Sequence, residues 1–110
     1  MALNFFTNNP HGLLSTFKKA IDDGRVATWA YDKDGDFTHT AQQWKNLAWL
    51  HPSSVAGQLV LNTLKPKDTK ITWEVYGIYH GRFIESMIIH CHDLFTSAQA
   101  TASPTKDDNV

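Results

Sequence analysis

The 110-residue sequence is poor in cysteine and has no long hydrophobic run. Its single cysteine cannot form an intramolecular disulfide, which predicts a reducing compartment. The N-terminus, Met1–Pro10, lacks the basic region and the apolar run of a signal peptide, and no apolar stretch approaches the length of a membrane span. We therefore expect a soluble cytoplasmic domain without a membrane partner.

An excess of charge of one sign is also missing. The chain has 10 basic and 11 acidic residues, for a formal net charge of −1, so a nucleic-acid partner is not expected. Aromatic residues are abundant instead, at 12% of the chain. Because a domain of this size has a modest core, part of this aromatic surface is expected to stay exposed for a partner.

Residues 10–23 are predicted to form the first helix. Pro10 suits the first helical position, where a backbone N–H has no partner, and Asn9 can cap it. Apolar residues recur at helical spacing along one stripe of this segment. Gly24 is predicted to end the helix in a left-handed conformation.

Residues 25–31 and 37–40 are predicted to form a β-hairpin around the turn sequence Asp32–Asp36. The turn superficially resembles a calcium loop. An EF-hand, however, needs glycine at its sixth position and an acidic residue at its twelfth. Here glycine stands fourth and Gln43 stands twelfth, which favours a simple hairpin turn.

Residues 41–57 allow two alternatives. Thr40 and Gln43 have the spacing of a capping box, which predicts a short helix through Leu50 that ends before Pro52. The apolar residues of this segment spread around most of such a helix, so an irregular connection is the alternative.

The second half of the chain is predicted to change from strand to helix. Residues 58–64 form a mostly buried strand, and the alternating pattern of residues 71–79 predicts its antiparallel partner. His80 and Gly81 then make a tight junction. From 82 to 95 the apolar residues recur at helical spacing, which predicts the closing helix.

A single helix over residues 72–96 is the competing interpretation. It would place apolar residues on both sides of the helix. It would also contain Gly77 and Gly81, each of which costs about 1 kcal/mol inside a helix. We therefore favour the strand followed by the helix.

The predicted fold class is α+β, a two-layer sandwich. An antiparallel sheet of about four strands carries two main helices on one face. The other face is expected to be covered by the segment from Trp44 to Leu50, by a second subunit, or by both. Residues 1–96 form this single domain. Residues 97–110 have little apolar surface and are predicted to be a flexible C-terminal tail.

His80 is the principal candidate for chemistry. At a strand-to-helix junction, free backbone N–H groups beside Arg82 attract an anion or a carboxylate. The imidazole is then available as a general acid or base, with Tyr79 or Tyr76 in support. These weak catalytic candidates predict a small enzyme or ligand-binding protein as the alternative function.

No metal site and no cofactor are expected. His90 and His92 point about 200° apart on a helix and cannot share an ion within one chain. Cys91 lies on the apolar face of its helix without a basic neighbour, which is typical of a small core residue.

The first functional hypothesis is a non-catalytic protein-interaction or regulatory domain that binds itself as a homodimer. Its basis is the excess of aromatic residues together with the missing catalytic, metal and nucleotide motifs. The expected partner-binding residues are Trp29, Trp44 and Trp49. An enzymatic role is the less favoured of the two.

Overall fold

A computed structural model describes the whole chain, residues 1–110, as an α+β fold with one antiparallel sheet. Two helices cover one face of the sheet, and no helix covers the other, which is called the open face here. The predicted fold class is confirmed, but the predicted number of strands is wrong because the sheet has six. In chain order the elements are β1 (Leu3–Phe6), α1 (Pro10–Asp22), β2 (Trp29–Tyr31), β3 (Phe37–His39), β4 (Trp49–Val55), β5 (Gln58–Leu64), α2 (Trp73–Cys91), a 3₁₀ turn (His92–Leu94) and β6 (Ser97–Ala100).

The strands lie in the order β2-β3-β4-β5-β1-β6, so that β4 and β5 are central, β1 follows β5, and β6 forms one edge. Directly paired residues of neighbouring strands share a face of the sheet. Leu3 pairs with Leu61 and these side chains are buried beneath the helices. Asn4, which pairs with Val60, lies on the open face.

The core between sheet and helices is built around Phe83 of α2. Its ring lies 5.0 Å from Trp29, 5.2 Å from Phe17, 5.3 Å from Phe37 and 6.0 Å from Phe5, measured between ring centroids. These rings meet edge-on or tilted, which is the favoured geometry for aromatic pairs. Both helices and strands from across the sheet therefore share one hydrophobic core.

The first helix and the first hairpin are confirmed. The Asn9 side chain accepts a hydrogen bond from the Gly12 backbone N–H at 3.0 Å, and Pro10 opens α1. Gly24 follows the helix with φ +78°, the left-handed conformation that glycine adopts without strain. Strands β2 and β3 then pair with each other in antiparallel register.

The predicted strand at residues 71–79 and the junction at His80 are wrong, because α2 is one unbroken helix. The Thr72 hydroxyl caps its first turn by accepting a hydrogen bond from the Val75 N–H at 3.1 Å. The helix buries a continuous side against the core, and this burial outweighs the propensity cost of its two glycines. The buried residues are Val75, Tyr76, Tyr79, His80, Phe83, Ser86, Met87 and Cys91.

Two strands at the ends of the chain were not predicted. β1 lies between β5 and β6, in the position beside β5 that the alternating pattern assigned to residues 71–79. Ser97–Ala100, within the predicted tail, forms strand β6 and pairs with β1. Further along, the Asp108 carboxylate accepts a hydrogen bond from the Thr63 N–H at 2.7 Å. Hydrogen bonds to backbone groups, rather than apolar burial, hold this segment, so its composition gave no signal.

The short helix predicted through Leu50 does not form. Residues 41–47 make turns, and Trp49–Val55 is strand β4. Pro52 is accommodated within this strand because β3 pairs with β4 only between Phe37 and Leu50. Beyond that pair the β3 side of β4 is free, so the missing proline N–H breaks no ladder bond.

Tyr79 connects α2 to these turns. Its hydroxyl donates to the Trp44 carbonyl and accepts from the Leu47 N–H at 3.2 Å. Tyr79→Phe leaves both backbone groups without this partner, and we expect it to lower the free energy of unfolding by about 1–3 kcal/mol in urea denaturation. Tyr31→Phe is the control, since the Tyr31 hydroxyl bonds to the exposed Asp22 and its loss is expected to matter much less. Equal losses in the two variants would contradict this role of Tyr79.

Candidate functional site

The outer side of α2, which points away from the core, is rich in exposed apolar residues. Trp73 is 70% exposed, Ile88 is 49% exposed and Ile89 is 62% exposed. Among the exposed residues of the helix, only Glu74, Arg82 and Glu85 are charged. A helix that is apolar both toward and away from its own core is typical of one that is covered on both sides.

Gly77 and Gly81 lie on this outer side, in the middle of α2. A Cβ atom added at either position would meet no atom within 4 Å, and neither residue has a positive φ. The monomer therefore imposes no steric or conformational need for glycine at these positions. Each glycine lowers the helix propensity by about 1 kcal/mol relative to alanine, so both are costly within the monomer.

A groove of about 510 Å³ runs beside the two glycines, between α2 and the end of β6. Tyr76 and His80 line it on the helix, and the short side chains of residues 100–102 line the opposite wall. Trp73 lies at one end of the groove. We call the set Trp73, Gly77, Gly81, Ile84 and Ile88 the outer α2 surface. Successive members are three or four residues apart, so they lie along one side of the helix.

His80 is buried, at 2% exposure, and belongs to the middle of α2. Its Nε2 lies 2.6 Å from Thr63 Oγ1 on β5. Burial lowers the pKa of His80 to about 4, although the Tyr76 carbonyl and Asp108 act in the opposite direction. The Tyr76 carbonyl affects this pKa without forming a well-aligned hydrogen bond to Nδ1. The imidazole is therefore neutral near pH 7 and links the helix to the sheet.

The proposed anion site at His80 is lost together with the junction, since a mid-helix position has no free backbone N–H groups. Of the other weak catalytic candidates, only Tyr76 lies against His80, with 4.1 Å between the two ring centroids. Tyr76 lines the groove, where its hydroxyl bonds to Thr101 Oγ1 at 2.8 Å, and burial raises its pKa. Tyr79 is fully buried in the core, and Arg82 is exposed on the helix.

The three tryptophans expected to bind a partner occupy different places. Trp29 is 2% exposed and packs in the core, so its indole is not part of the monomer surface. Trp44 is half-buried against the core, and Trp49 is half-buried on the open face of the sheet. The most exposed tryptophan, Trp73, was not singled out because the sequence pattern placed it inside a strand.

The acidic turn brings the carboxylates of Asp32, Asp34 and Asp36 within 4.8 Å of one another. The Asp32 carboxylate accepts hydrogen bonds from the backbone N–H groups of Asp34 and Asp36, at 2.9 and 3.0 Å. His51 Nδ1 lies 2.6 Å from the Asp36 carboxylate. These bonds account for the cluster as a turn within the hairpin.

Cys91 is a free thiol buried in the core, and this burial raises its pKa. His92 Nδ1 lies 3.2 Å from the Ile88 carbonyl, one turn earlier.

No helix is both long enough and apolar enough to cross a membrane. Comparisons with family models, curated proteins and solved structures found no match for this chain.

Proposed function

We propose that this protein is a non-catalytic interaction domain that self-associates through the outer α2 surface. The observation that carries the proposal is the pair Gly77 and Gly81, exposed in the middle of a helix and without a structural role in the monomer. Glycine at such positions lets a second backbone approach closely. The exposed apolar residues on either side supply the area that such an approach would bury.

The partner that this surface fits is a second copy of the chain. In an isologous contact a two-fold axis brings the same patch of both copies together. An antiparallel pair of α2 helices with this axis midway between the glycines would place Gly77 opposite the partner's Gly81. Glu74 then comes near the partner's Arg82, and the same pairing recurs on the other side of the two-fold axis. Opposite charges at the rim of an apolar contact favour this one orientation over others.

A cytoplasmic location is part of the proposal. The single cysteine is a buried free thiol, which suits a reducing compartment.

Sedimentation equilibrium over a range of concentrations tests the proposal, with a concentration-dependent dimer as the expected result. Trp73→Ala is expected to raise the dimer dissociation constant about tenfold, because a large aromatic side chain at a contact commonly contributes more than 1 kcal/mol. Trp49→Ala, on the open sheet face, is the matched control and should leave the constant unchanged. A monomer at all concentrations would refute self-association, and weakening by Trp49→Ala alone would move the contact to the sheet.

A further inference from the structure

Strand β6 is an unprotected edge of the sheet. It pairs with β1 on one side only, and nothing in the sheet lies beyond it. Edge strands of monomeric proteins usually carry lysine or proline, which discourage pairing with another chain. The residues of β6 are serine, alanine, glutamine and alanine, so this edge has neither. The opposite edge, β2, has only three residues.

The hydrogen bonds to β1 show which groups of β6 point outward. The Thr101 N–H donates to the Ala2 carbonyl at 2.9 Å, in continuation of the register that pairs Leu3 with Ala100. Backbone groups alternate in direction along a strand, so Gln99 also bonds toward β1. The N–H and C=O groups of Ala98 and Ala100 therefore point away from the sheet.

This edge adjoins the outer α2 surface. Gly77 and Gly81 share the groove with Ala100 and Ala102, so the glycine pair and the end of β6 lie on the same side of the molecule. Ala98 pairs with the core residue Phe5, which places it on the helix side of the sheet. Its small side chain leaves room above the strand for two helices to meet.

We propose that β6 pairs in antiparallel orientation with β6 of a second copy, about a two-fold axis at Gln99, to give one continuous twelve-stranded sheet. The inference rests on the proposed self-association and adds a second element to that contact. With the axis at Gln99, Ala98 of each copy faces the partner's Ala100. All outward N–H and C=O groups of these two residues then find partners, whereas a shifted register leaves some of them unpaired. The two α2 helices meet above the same axis.

The register makes a sharp prediction for cysteine crosslinking under mild oxidation. Gln99 faces its own copy in a non-hydrogen-bonded pair, where the Cα atoms lie about 4.5 Å apart, within the range of a disulfide. Gln99→Cys is therefore expected to form a covalent dimer on a non-reducing gel. Ser97→Cys is the matched control, since Ser97 and Gln99 are both exposed residues of one strand. Its two copies would stand about 13 Å apart, four residues along the strand, which is too far for a disulfide.

Crosslinking of Gln99→Cys about tenfold faster than that of Ser97→Cys is the expected result. Wild-type protein should stay uncrosslinked because Cys91 is buried. If the wild type sediments as a dimer and both variants crosslink at equal rates, the strand pairing is overturned while the helix contact stands. A wild type that sediments as a monomer overturns both.

Discussion

Replacing Gly81 with leucine is expected to raise the dimer dissociation constant roughly 100-fold while making the monomer more stable. A Cβ atom at residue 81 meets no heavy atom of its own chain within 4 Å, and the position is exposed, so the monomer is expected to accept a larger side chain there. Leucine is the better helix former by about 1 kcal/mol, which stabilises the monomer. At a close helix contact, however, the added volume separates the two backbones. Overpacking of this kind costs roughly 1–3 kcal/mol, and the wider separation also weakens the packing of the apolar side chains on either side.

The two effects are measured separately, by sedimentation equilibrium for the dimer and by urea denaturation at low concentration for the monomer. Ser15→Leu is the control, because it adds the same side chain to an exposed position of α1. It should leave the dissociation constant unchanged. A stronger dimer in Gly81→Leu would contradict a close approach of the two helix backbones. It would show that the contact is apolar but does not require a small side chain at residue 81.

Acidification is expected to destabilise the protein by about 3 kcal/mol through His80 alone, since one pKa unit corresponds to about 1.4 kcal/mol. The folded state keeps this histidine neutral until about pH 4, whereas the ordinary histidine value is 6.5. Between these values the unfolded chain binds more protons, so it is favoured as the pH falls. The contribution of His80 is complete above pH 6.5, declines below it, and levels off below pH 4. His39, whose pKa is also lowered by burial, acts in the same direction.

The variant His80→Gln isolates this contribution. Glutamine retains a polar partner for Thr63 Oγ1 but has no proton to gain in this range. Urea denaturation at a fixed protein concentration, repeated from pH 4.5 to pH 7.5, should show a shallower pH dependence in the variant than in the wild type. Other titrating groups are common to both proteins and cancel in the difference. Identical slopes would show that His80 is protonated as readily in the folded state as in the unfolded chain.

The sequence was sufficient for the elements whose ends have local signals. Asn9, Pro10 and Gly24 define α1 without reference to the rest of the fold, and the acidic turn defines the hairpin of β2 and β3. β1 and β6 lack such signals, because they are short and their register is set by strands distant in the chain. Tertiary pairing decided these strands, as it commonly does.

The candidate site was missed for a related reason. Counting the cost of Gly77 and Gly81 within one chain argued against the helix that the structure contains. The alternation of apolar residues from Ile71 to Tyr79 supported the wrong period, because α2 is apolar on more than one side. The rules of helix propensity and apolar periodicity failed because α2 has more apolar surface than the monomer buries. Such failures are expected at functional positions. His80 was noticed from the sequence, but the burial that keeps it neutral follows from the packing of α2 against β5, which the local pattern does not contain.

The pairing of Leu3 with Ala100 also constrains how the chain folds. The strand next to the centre of the sheet comes from one end of the sequence, and its outer neighbour comes from the other. Helix α1 and the β4–β5 hairpin can form from nearby residues, but β1 must wait for contacts across most of the chain. Closing so large a loop is entropically unfavourable, and a topology rich in distant contacts slows folding. We expect the edge beside β1 to be the last part of the sheet to assemble.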